Sequence, residues 1–402
     1  MTDAFSSLLW LGLAGAAATS SYLGALAAAA FLPRPHGAGN SGRTRFAVIV
    51  PAHNEEAMLP NTLRSIFAQA YPRELYSVHV IADNCSDRTA ALASELGAVT
   101  HERTDPAHPG KGQAIAWLLP QLTPDHDATV FIDADSTIDE HFLEAFDRRF
   151  QAGADVLQAS YRVADPQSAP LVTLRALAFS LMHEVRGRGK ARLGLSVGIW
   201  GNGFAMSRRV LERFGWSSFS GTEDAEQHIQ LVLNGVRVTF APEATVYGHM
   251  PASFKAAQSQ QRRWEAGRLT LLRRYWLRLV RAAVLRANPS AGVALIDVAL
   301  PPLSIIIAGD CAIFGLVLLF GTAKQVLLAS MVIIGLGVYL SAGFYFARLP
   351  LRAFLALRQA PSYVLWKLWL YARELPRRKD PTWIRTSRDP SVHTAVVQKT
   401  DG

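Results

Sequence analysis

The run Val130-Phe131-Ile132-Asp133-Ala134-Asp135 constrains this chain more than any other stretch. Three apolar residues lead directly into two acids one residue apart, the pattern of a buried strand whose carboxyl end opens into a cleft. In open α/β sheets ligands sit at that edge. Carboxylates so placed can offer oxygens to a hard divalent cation, which needs only one or two protein acids when a diphosphate supplies the rest. The run therefore predicts a metal-assisted nucleotide site. Taken alone it is also compatible with a solvated acidic turn.

The surrounding sequence alternates strand and helix. Phe46 to Val50 reads as a strand ended by Pro51, Met58 to Ala70 has helical spacing, and Val78 to Ala82 is a second strand followed by Asp83. Ser86 is placed to cap a helix through Leu96, stopped by Gly97, and Gly110-Lys111-Gly112 opens the next helix. Further strands are expected over Asp155 to Arg162, Gly203 to Met206 and Val236 to Phe240. Helices are expected after Thr222 and from Ser253 to Gly267. This order predicts an α/β fold with a mainly parallel sheet and helices on both faces.

Apolar segments flank that core. Ser6 to Leu32 carries no charge and is long enough to cross a bilayer. The small residues Ala27 to Ala30 would suit a cleaved signal peptide. No Lys or Arg precedes the run, however, and it is longer than a signal core, so an uncleaved anchor is expected. Arg34, Arg43 and Arg45 then put the following domain in the cytoplasm. Two more spans are expected, Val298 to Phe320 with Pro301-Pro302 and Asp310, and Val326 to Phe346.

Arg268 to Arg286 has the spacing of an amphipathic helix, either in the membrane interface or packed on the domain as a basic surface helix. A second aromatic amphipathic stretch, Tyr363 to Leu375, precedes the basic residues Arg377, Arg378 and Lys379. The expected division is an anchor (1–33), a cytoplasmic catalytic domain (44–267), an interfacial helix and linker (268–292), two spans (293–347) and a cytoplasmic tail (348–402). Three spans keep domain and tail on the inner face of the cell membrane.

The formal net charge of +9 invites a nucleic-acid reading, but the basic residues gather beside apolar segments in the last third and suit an anionic membrane surface instead. No nucleic acid is expected. The only cysteines, Cys85 and Cys311, fall in regions of different character, which excludes a disulfide framework or a structural zinc site.

Four signatures stand in one order: Pro51-Ala52-His53-Asn54-Glu55-Glu56, Asp83 after the second strand, Asp133-Ala134-Asp135, and Thr222-Glu223-Asp224 followed by Gln260-x-x-Arg263-Trp264. Over about Phe46 to Gly267 the chain resembles the membrane-bound family-two glycosyltransferases, the group of cellulose, hyaluronan, chitin and poly-N-acetylglucosamine synthases. The resemblance implies a GT-A fold and a nucleotide-sugar donor, usually of uridine. It places Asp83 and the Pro51, Asn54 and Glu55 loop on base and ribose, and Mg²⁺ or Mn²⁺ on Asp135 with Asp133 on the metal or ribose. Thr222 and Glu223 fall in the substrate-binding set, and Lys111 is placed to reach a phosphate or to stand solvated on its loop.

Ala82 and Asn84-Cys85 stand where family members have an acid and a glycine-containing turn, which weakens the uridine preference. Asp83 capping the next helix is the alternative for that residue. Asp224 is expected as general base, and Arg263 as a fork on the departing diphosphate, with Gln260 beside it in the motif. Trp264 is expected as a flat platform for the acceptor sugar. With no second nucleophilic acid, the reaction implied is inverting and gives β-linkages.

The leading expectation is extension of an extracellular polysaccharide. Two spans after the catalytic domain are few for a polymer channel, so a partner subunit or self-association is also expected. The alternatives are transfer of one sugar to a membrane lipid, since ceramide glucosyltransferases share this layout, and a non-catalytic nucleotide-sugar-binding subunit. Trp383-Ile384-Arg385-Thr386-Ser387-Arg388 is similar to the gating loop of processive synthases, or is a basic tail held by lipid.

Overall fold

Residues 46 to 50 form a strand that is apolar on both faces: Val48 and Val50 face one core, and Ile49 faces the other. The computed structural model describes residues 2–33, 43–251 and 253–373. Its elements begin with α1 (Thr2–Ala30), β1 (Phe46–Ala52), α2 (Leu59–Phe67), β2 (Tyr76–Asp83), α3 (Thr89–Glu95), β3 (Val99–Arg103), α4 (Lys111–Leu118) and β4 (Ala128–Phe131). There follow β5 (Ser136–Ile138), α5 (Phe142–Gln151), β6 (Val156–Val163), α6 (Pro170–Phe179), a π-helical turn (Ser180–Val185), α7 (Arg186–Arg192), β7 (Phe204–Ser207), α8 (Arg208–Phe214), α9 (Glu223–Leu233) and β8 (Val238–Gly248). The last third is helical: α10 (Phe254–Leu285), α11 (Pro289–Ala299), α12 (Leu303–Phe320), α13 (Ala323–Ala347), a 3-10 stretch (Leu351–Gln359) and α14 (Ala360–Arg373).

The strands form one eight-stranded sheet in the order β3-β2-β1-β4-β7-β6-β8-β5. β3, β2, β1 and β4 run parallel, as do β6 and β8, while β7 opposes both its neighbours and β5 opposes β8. Apolar residues from α2 and α5 cover one face, and residues from α4, α8 and the loop at Val197 to Ile199 cover the other. The sheet is thus mixed but mostly parallel, as expected.

Four local expectations need correction. β1 continues through Pro51 to Ala52; its ladder with β4 ends at Ile49, and a strand open on one side tolerates a residue without an N–H. β8 does not stop near Phe240 but runs to Gly248. Ala159 pairs with Ala241 and Ser160 with Thr245, so the shift in register absorbs Pro242. The start of α3 is set by Asp87, whose carboxylate accepts from the N–H and hydroxyl of Thr89 at 2.9 and 2.5 Å; Ser86 instead gives its N–H to Asn54 Oδ1 at 2.7 Å. Finally, Ser253 to Gly267 and Arg268 to Arg286 are not two helices, because α10 runs unbroken for 32 residues.

Gly267 does not end α10 because it serves a close contact: a Cβ there would lie 2.4 Å from Thr222 Cγ2. Farther along α10, Leu271, Tyr275, Leu279 and Ala282 are buried with Ile229 and Val232 of α9 and Ala291, Ala294 and Val298 of α11. This stripe packs on protein, while Trp276 and Leu277 of the same helix are exposed.

Among the described residues, three helices are long and apolar enough to cross a membrane: Ala4–Ala30, Leu303–Phe320 and Ala323–Ala347. Pro301 and Pro302 separate α11 from α12. Leu316, Leu319, Phe320, Leu327, Ile334 and Val338 turn outward from the span helices.

A buried ionic cluster ties the apolar helices to the domain. Asp297 of α11 accepts from Arg186 and Lys190 of α7 and from the Tyr22 hydroxyl of α1 at 3.1 Å. Burial works against the Asp297 charge, but the adjacent Lys190 and Arg186 more than reverse that and hold its carboxyl down at about 2. The segment Trp383 to Arg388 and the basic residues Arg377, Arg378 and Lys379 lie outside the described residues.

Candidate active site

The site lies where the parallel strands end. Ala134 is buried in the core, which leaves Asp133 and Asp135 half-buried on either side of it. The Asp133 N–H donates to Asn202 Oδ1 at 3.0 Å, and Asn202 Nδ2 donates to Ser136 Oγ at 2.8 Å. The Ser136 hydroxyl in turn donates to Asp135 Oδ1 at 3.2 Å. Asn202, buried between β4 and β7, thereby fixes both ends of the Asp133 to Ser136 turn.

Lys111, the first residue of α4, is not a solvated lysine. Its ammonium donates to Asp133 Oδ1 and to the carbonyl of Gly201. Burial alone would lower its pKa, yet Asp133, Glu223 and Asp224 hold it above the usual lysine value. Gly112 must be small because a Cβ there would stand 2.5 Å from the Ser218 carbonyl. This contact brings the start of α4 against the loop that leads into α9.

α9 begins with Glu223 and Asp224, and with Glu226 three carboxylates stand in its first turn, where the N-terminal backbone groups favour negative charge. Burial and the Glu223 charge nevertheless push the Asp224 carboxyl up to about 7, against the pull of the Ala225 N–H, Lys111 and Arg263. α9 is pinned to α10 by Glu226, which is buried and accepts from the Tyr275 hydroxyl and Arg274 NH1, each at 2.8 Å.

The motif on α10 divides its contacts. Gln260 Oε1 accepts from Arg175 NH2 of α6 at 2.6 Å. Arg263 packs its stem beside Gly221, where a Cβ would lie 3.6 Å from Arg263 Cγ, and its charge is felt by Asp224. Trp264 is half-buried with Val163, Val172, Ala176, Phe179 and Met250. One side of the ring rests against α6.

Asp83 closes β2 and is buried. Its Oδ1 accepts from Arg103 NH1 at 2.5 Å and Asn84 Nδ2 at 3.1 Å, its Oδ2 faces the Gly110 N–H at 3.4 Å, and its carbonyl accepts from His53 Nδ1 at 2.7 Å. The helix that follows takes its hydrogen bond from Asp87, so Asp83 does not cap it. Pro51 lies in β1, and Asn54 and Glu55 lie in the next turn. Asn54 has a φ of 55°, and the Glu55 N–H donates to Thr89 Oγ1 at 2.8 Å.

Lys111, Asp133, Glu223, Asp224 and Arg263 thus converge, while Asp83, Asn54 and Glu55 form a neighbouring group around β2. Sequence reasoning missed Arg103, Arg175, Tyr161 and Gln158. The Gln158 side chain links the carbonyl of Asn202 and the N–H of Trp200 at 2.9 and 3.0 Å. Only the β2–β3 register, which sets Asp83 opposite Arg103, would have revealed the first of these.

The sequence profile of the family described as Glycosyltransferase like family 2 matches residues 43–267. The probable glycosyltransferase YdaM of Bacillus subtilis is 26% identical over 235 residues, covering 56% of this chain and 55% of that protein. A β-monoglucosyldiacylglycerol synthase of Trichormus variabilis is 26% identical over 242 residues, 57% of this chain and 50% of the relative. Glucomannan 4-β-mannosyltransferase 1 of Oryza sativa subsp. japonica is 22% identical over 277 residues, 62% and 51% respectively. The chain spans about half the length of the curated relatives it matches. The mannosyltransferase PcManGT of Pyrobaculum calidifontis, solved with GDP-Man and Mn²⁺, superposes with a TM-score of 0.61 at 17% identity, covering 94% of this chain and 100% of that one. The likeness shows a shared GT-A nucleotide-sugar transferase fold.

Proposed function

The chain belongs to glycosyltransferase-like family 2, and from that premise we propose that it transfers a sugar from a nucleotide-diphosphate donor to a hydroxyl of a membrane-held acceptor. The transfer inverts the anomeric carbon, so that an α-linked donor yields a β-linkage. One observation carries this reading: Lys111 joins Asp133 to the Gly201 carbonyl, and Gly201 lies against Asp224. Acids from two motifs 91 positions apart in sequence thereby share one cleft.

Asp224 acts as the general base. A carboxyl near 7 is well matched to taking a proton from a hydroxyl around neutral pH. The acceptor oxygen bonds to the anomeric carbon while the bond from that carbon to the donor phosphate breaks, and the electron pair leaves on the nucleoside diphosphate. Arg263 offers a planar fork to that diphosphate. Lys111 holds Asp133 in place through two of its three ammonium N–H bonds and keeps the third for a donor phosphate. Asp83, Asn54 and Glu55 flank the base and ribose, and Thr222 and Glu223 complete the substrate-binding set at the start of α9.

Asp135, with Asp133 beside it, suits Mg²⁺ or Mn²⁺. Both acids lie half-buried at a strand end and are fixed by Asn202 and Ser136, and few protein ligands are needed when a diphosphate completes the shell. Such a cation, when bound, would neutralise charge on the leaving diphosphate.

The three apolar helices and the arginines beside them support a membrane protein with its catalytic domain on the cytoplasmic face. Of the acceptors expected, we place a lipid first, because Trp264 sits among apolar residues of α6, whose helix continues into a turn packed on α13. The similarity to the glucosyldiacylglycerol synthase agrees with this reading. Polysaccharide extension, with self-association or a partner subunit forming the exit path, is the second reading, supported by similarity to the glucomannan mannosyltransferase.

Membranes carrying the full chain, incubated with a panel of nucleotide sugars and analysed by mass, provide the test. A lipid gaining one hexose supports the first reading, and a ladder of long chains supports the second. Turnover of no nucleotide sugar at all would remove both.

A further inference from the structure

Among the described residues, Arg175 of α6 is a buried cation without a counter-ion. It is 2% exposed, and its NH2 donates to Gln260 Oε1 at 2.6 Å, while Nε and NH1 are buried with no partner. The titratable groups nearest in effect are the Tyr161 and Tyr363 hydroxyls, not carboxylates. The acid of the adjoining cluster, Glu265, is already taken by Lys367 Nζ at 3.1 Å, by Arg268 Nε at 3.3 Å and by the Tyr371 hydroxyl. Folded proteins seldom bury a charge unpaired or leave guanidinium N–H groups unsatisfied, because each costs free energy that nothing returns. NH1 and the second N–H of NH2 share one edge of the guanidinium, and two parallel donors on that edge match two oxygens of a phosphate.

The location says which substrate would bring that phosphate. Arg175 holds Gln260, which stands one turn before Arg263 on α10, and Val172 and Ala176 of α6 pack with Trp264, so Arg175 borders the reacting cleft. On its other side α6 runs into the π-helical turn, where the Ser180 hydroxyl donates to the Gly343 carbonyl of α13 at 2.8 Å and Leu181 packs on Gly343. Arg175 therefore stands between the acids and a candidate membrane helix, while the donor diphosphate has Arg263 and the Asp135 site to meet its charge.

We propose that Arg175 binds a phosphate group carried by the lipid acceptor, and that the sugar passes to a hydroxyl of that phosphate-bearing lipid. The inference rests on the glycosyl-transfer reading above. The lipid hydroxyl gives its proton to Asp224 and its oxygen to the anomeric carbon, and the lipid phosphate itself is unchanged.

The test uses the full chain with a nucleotide sugar that it turns over. Acceptors are phosphatidylcholine vesicles containing phosphatidylglycerol or phosphatidylinositol, the same vesicles containing diacylglycerol, and soluble glycerol phosphate. The expected result is transfer to a phosphate-bearing lipid in preference to diacylglycerol. R175Q should raise the lipid KM by roughly ten- to hundredfold, the loss expected for charge-assisted hydrogen bonds. R175K should recover part of it, and the Kd for the nucleoside diphosphate should stay within about twofold, a shift worth under half a kcal/mol. The melting temperature of R175Q should match or exceed that of the wild type, since an unpaired charge is removed.

Equal use of diacylglycerol, no transfer to any lipid, an unchanged lipid KM in R175Q, or weakened nucleotide binding in that variant would each overturn the proposal. A melting temperature lowered in both R175Q and R175K would make the residue structural and overturn it too. Transfer to glycerol phosphate alone would make a soluble phosphate the ligand and reject the lipid. Wild-type protein that turns over no nucleotide sugar would instead defeat the glycosyl-transfer reading, which is a different result from turnover indifferent to lipid phosphate.

Discussion

The Asp224 carboxylate lies against the backbone of Gly201, so closely that a Cβ on that glycine would stand 3.1 Å from Oδ2. Gly201 also has a φ of +81°. In G201A the left-handed backbone would be strained by about 1–2 kcal/mol and the base displaced. Transfer should fall by roughly a hundredfold, the effect of an ångström-scale misplacement, with a smaller loss of stability. Comparing kcat with the melting temperature checks this; a normal kcat would show that the contact is not needed.

Asp224 must be ionised to accept a proton, and its carboxyl is raised to about 7 by burial and by Glu223. The transfer rate should therefore climb as pH rises through about 7 and fall away below it. In D224N the rate should drop by about 10²–10⁴-fold with nucleotide binding retained. A pH–rate profile that is flat from acid to neutral pH would contradict the assignment.

Lys111 is one of the charges that pull the Asp224 carboxyl down. In K111M the acidic limb of the same profile should move to higher pH. Asp133 also loses its partner, so donor KM should rise. A limb that moves to lower pH would mean that the two charges do not face each other as described.

D135A should lose metal-dependent nucleotide binding, whereas D224N should keep it and lose transfer. Titration of nucleoside diphosphate with and without Mn²⁺, read by calorimetry, separates the two. Equal residual transfer in both variants would contradict these roles.

The Asp297 cluster gives a prediction about stability. In D297N two buried cations lose their carboxylate, for which about 3–5 kcal/mol is the usual loss on breaking a buried pair. Because the folded carboxyl is depressed to about 2, its contribution is complete above the unfolded value near 4. It is lost as pH falls from there toward 2. Denaturant melts of wild type and D297N across that window should converge at the acid end.

The sheet was readable where a strand is buried on both faces, as in β1 and β4, because water would not tolerate an unbroken apolar run of that kind on the surface. It was not readable in β3. There Val99-Thr100-His101-Glu102-Arg103 is mostly polar, with Val99 half exposed, and pairing with β2 rather than composition holds it straight. The same edge hid the partner of Asp83. Asp224 and Arg263 could be picked out as candidates because both belong to motifs. Arg175 could not, since on a helix following β6 an arginine looks like any surface residue until burial removes its water. Gly267 misled for the opposite reason: a glycine late in a helical pattern suggests an end, but this one lets Thr222 approach.

α10 places the Gln260 to Trp264 segment on the same unbroken rod as Leu285. At about 1.5 Å per residue the rod is roughly 48 Å long, so pivoting it by about 5° at one end would carry the other through roughly 4 Å, the width of a hydrogen bond and more. A helix without a joint has no place to absorb such a swing. Whatever shifts its far end therefore reaches the arginine fork as displacement.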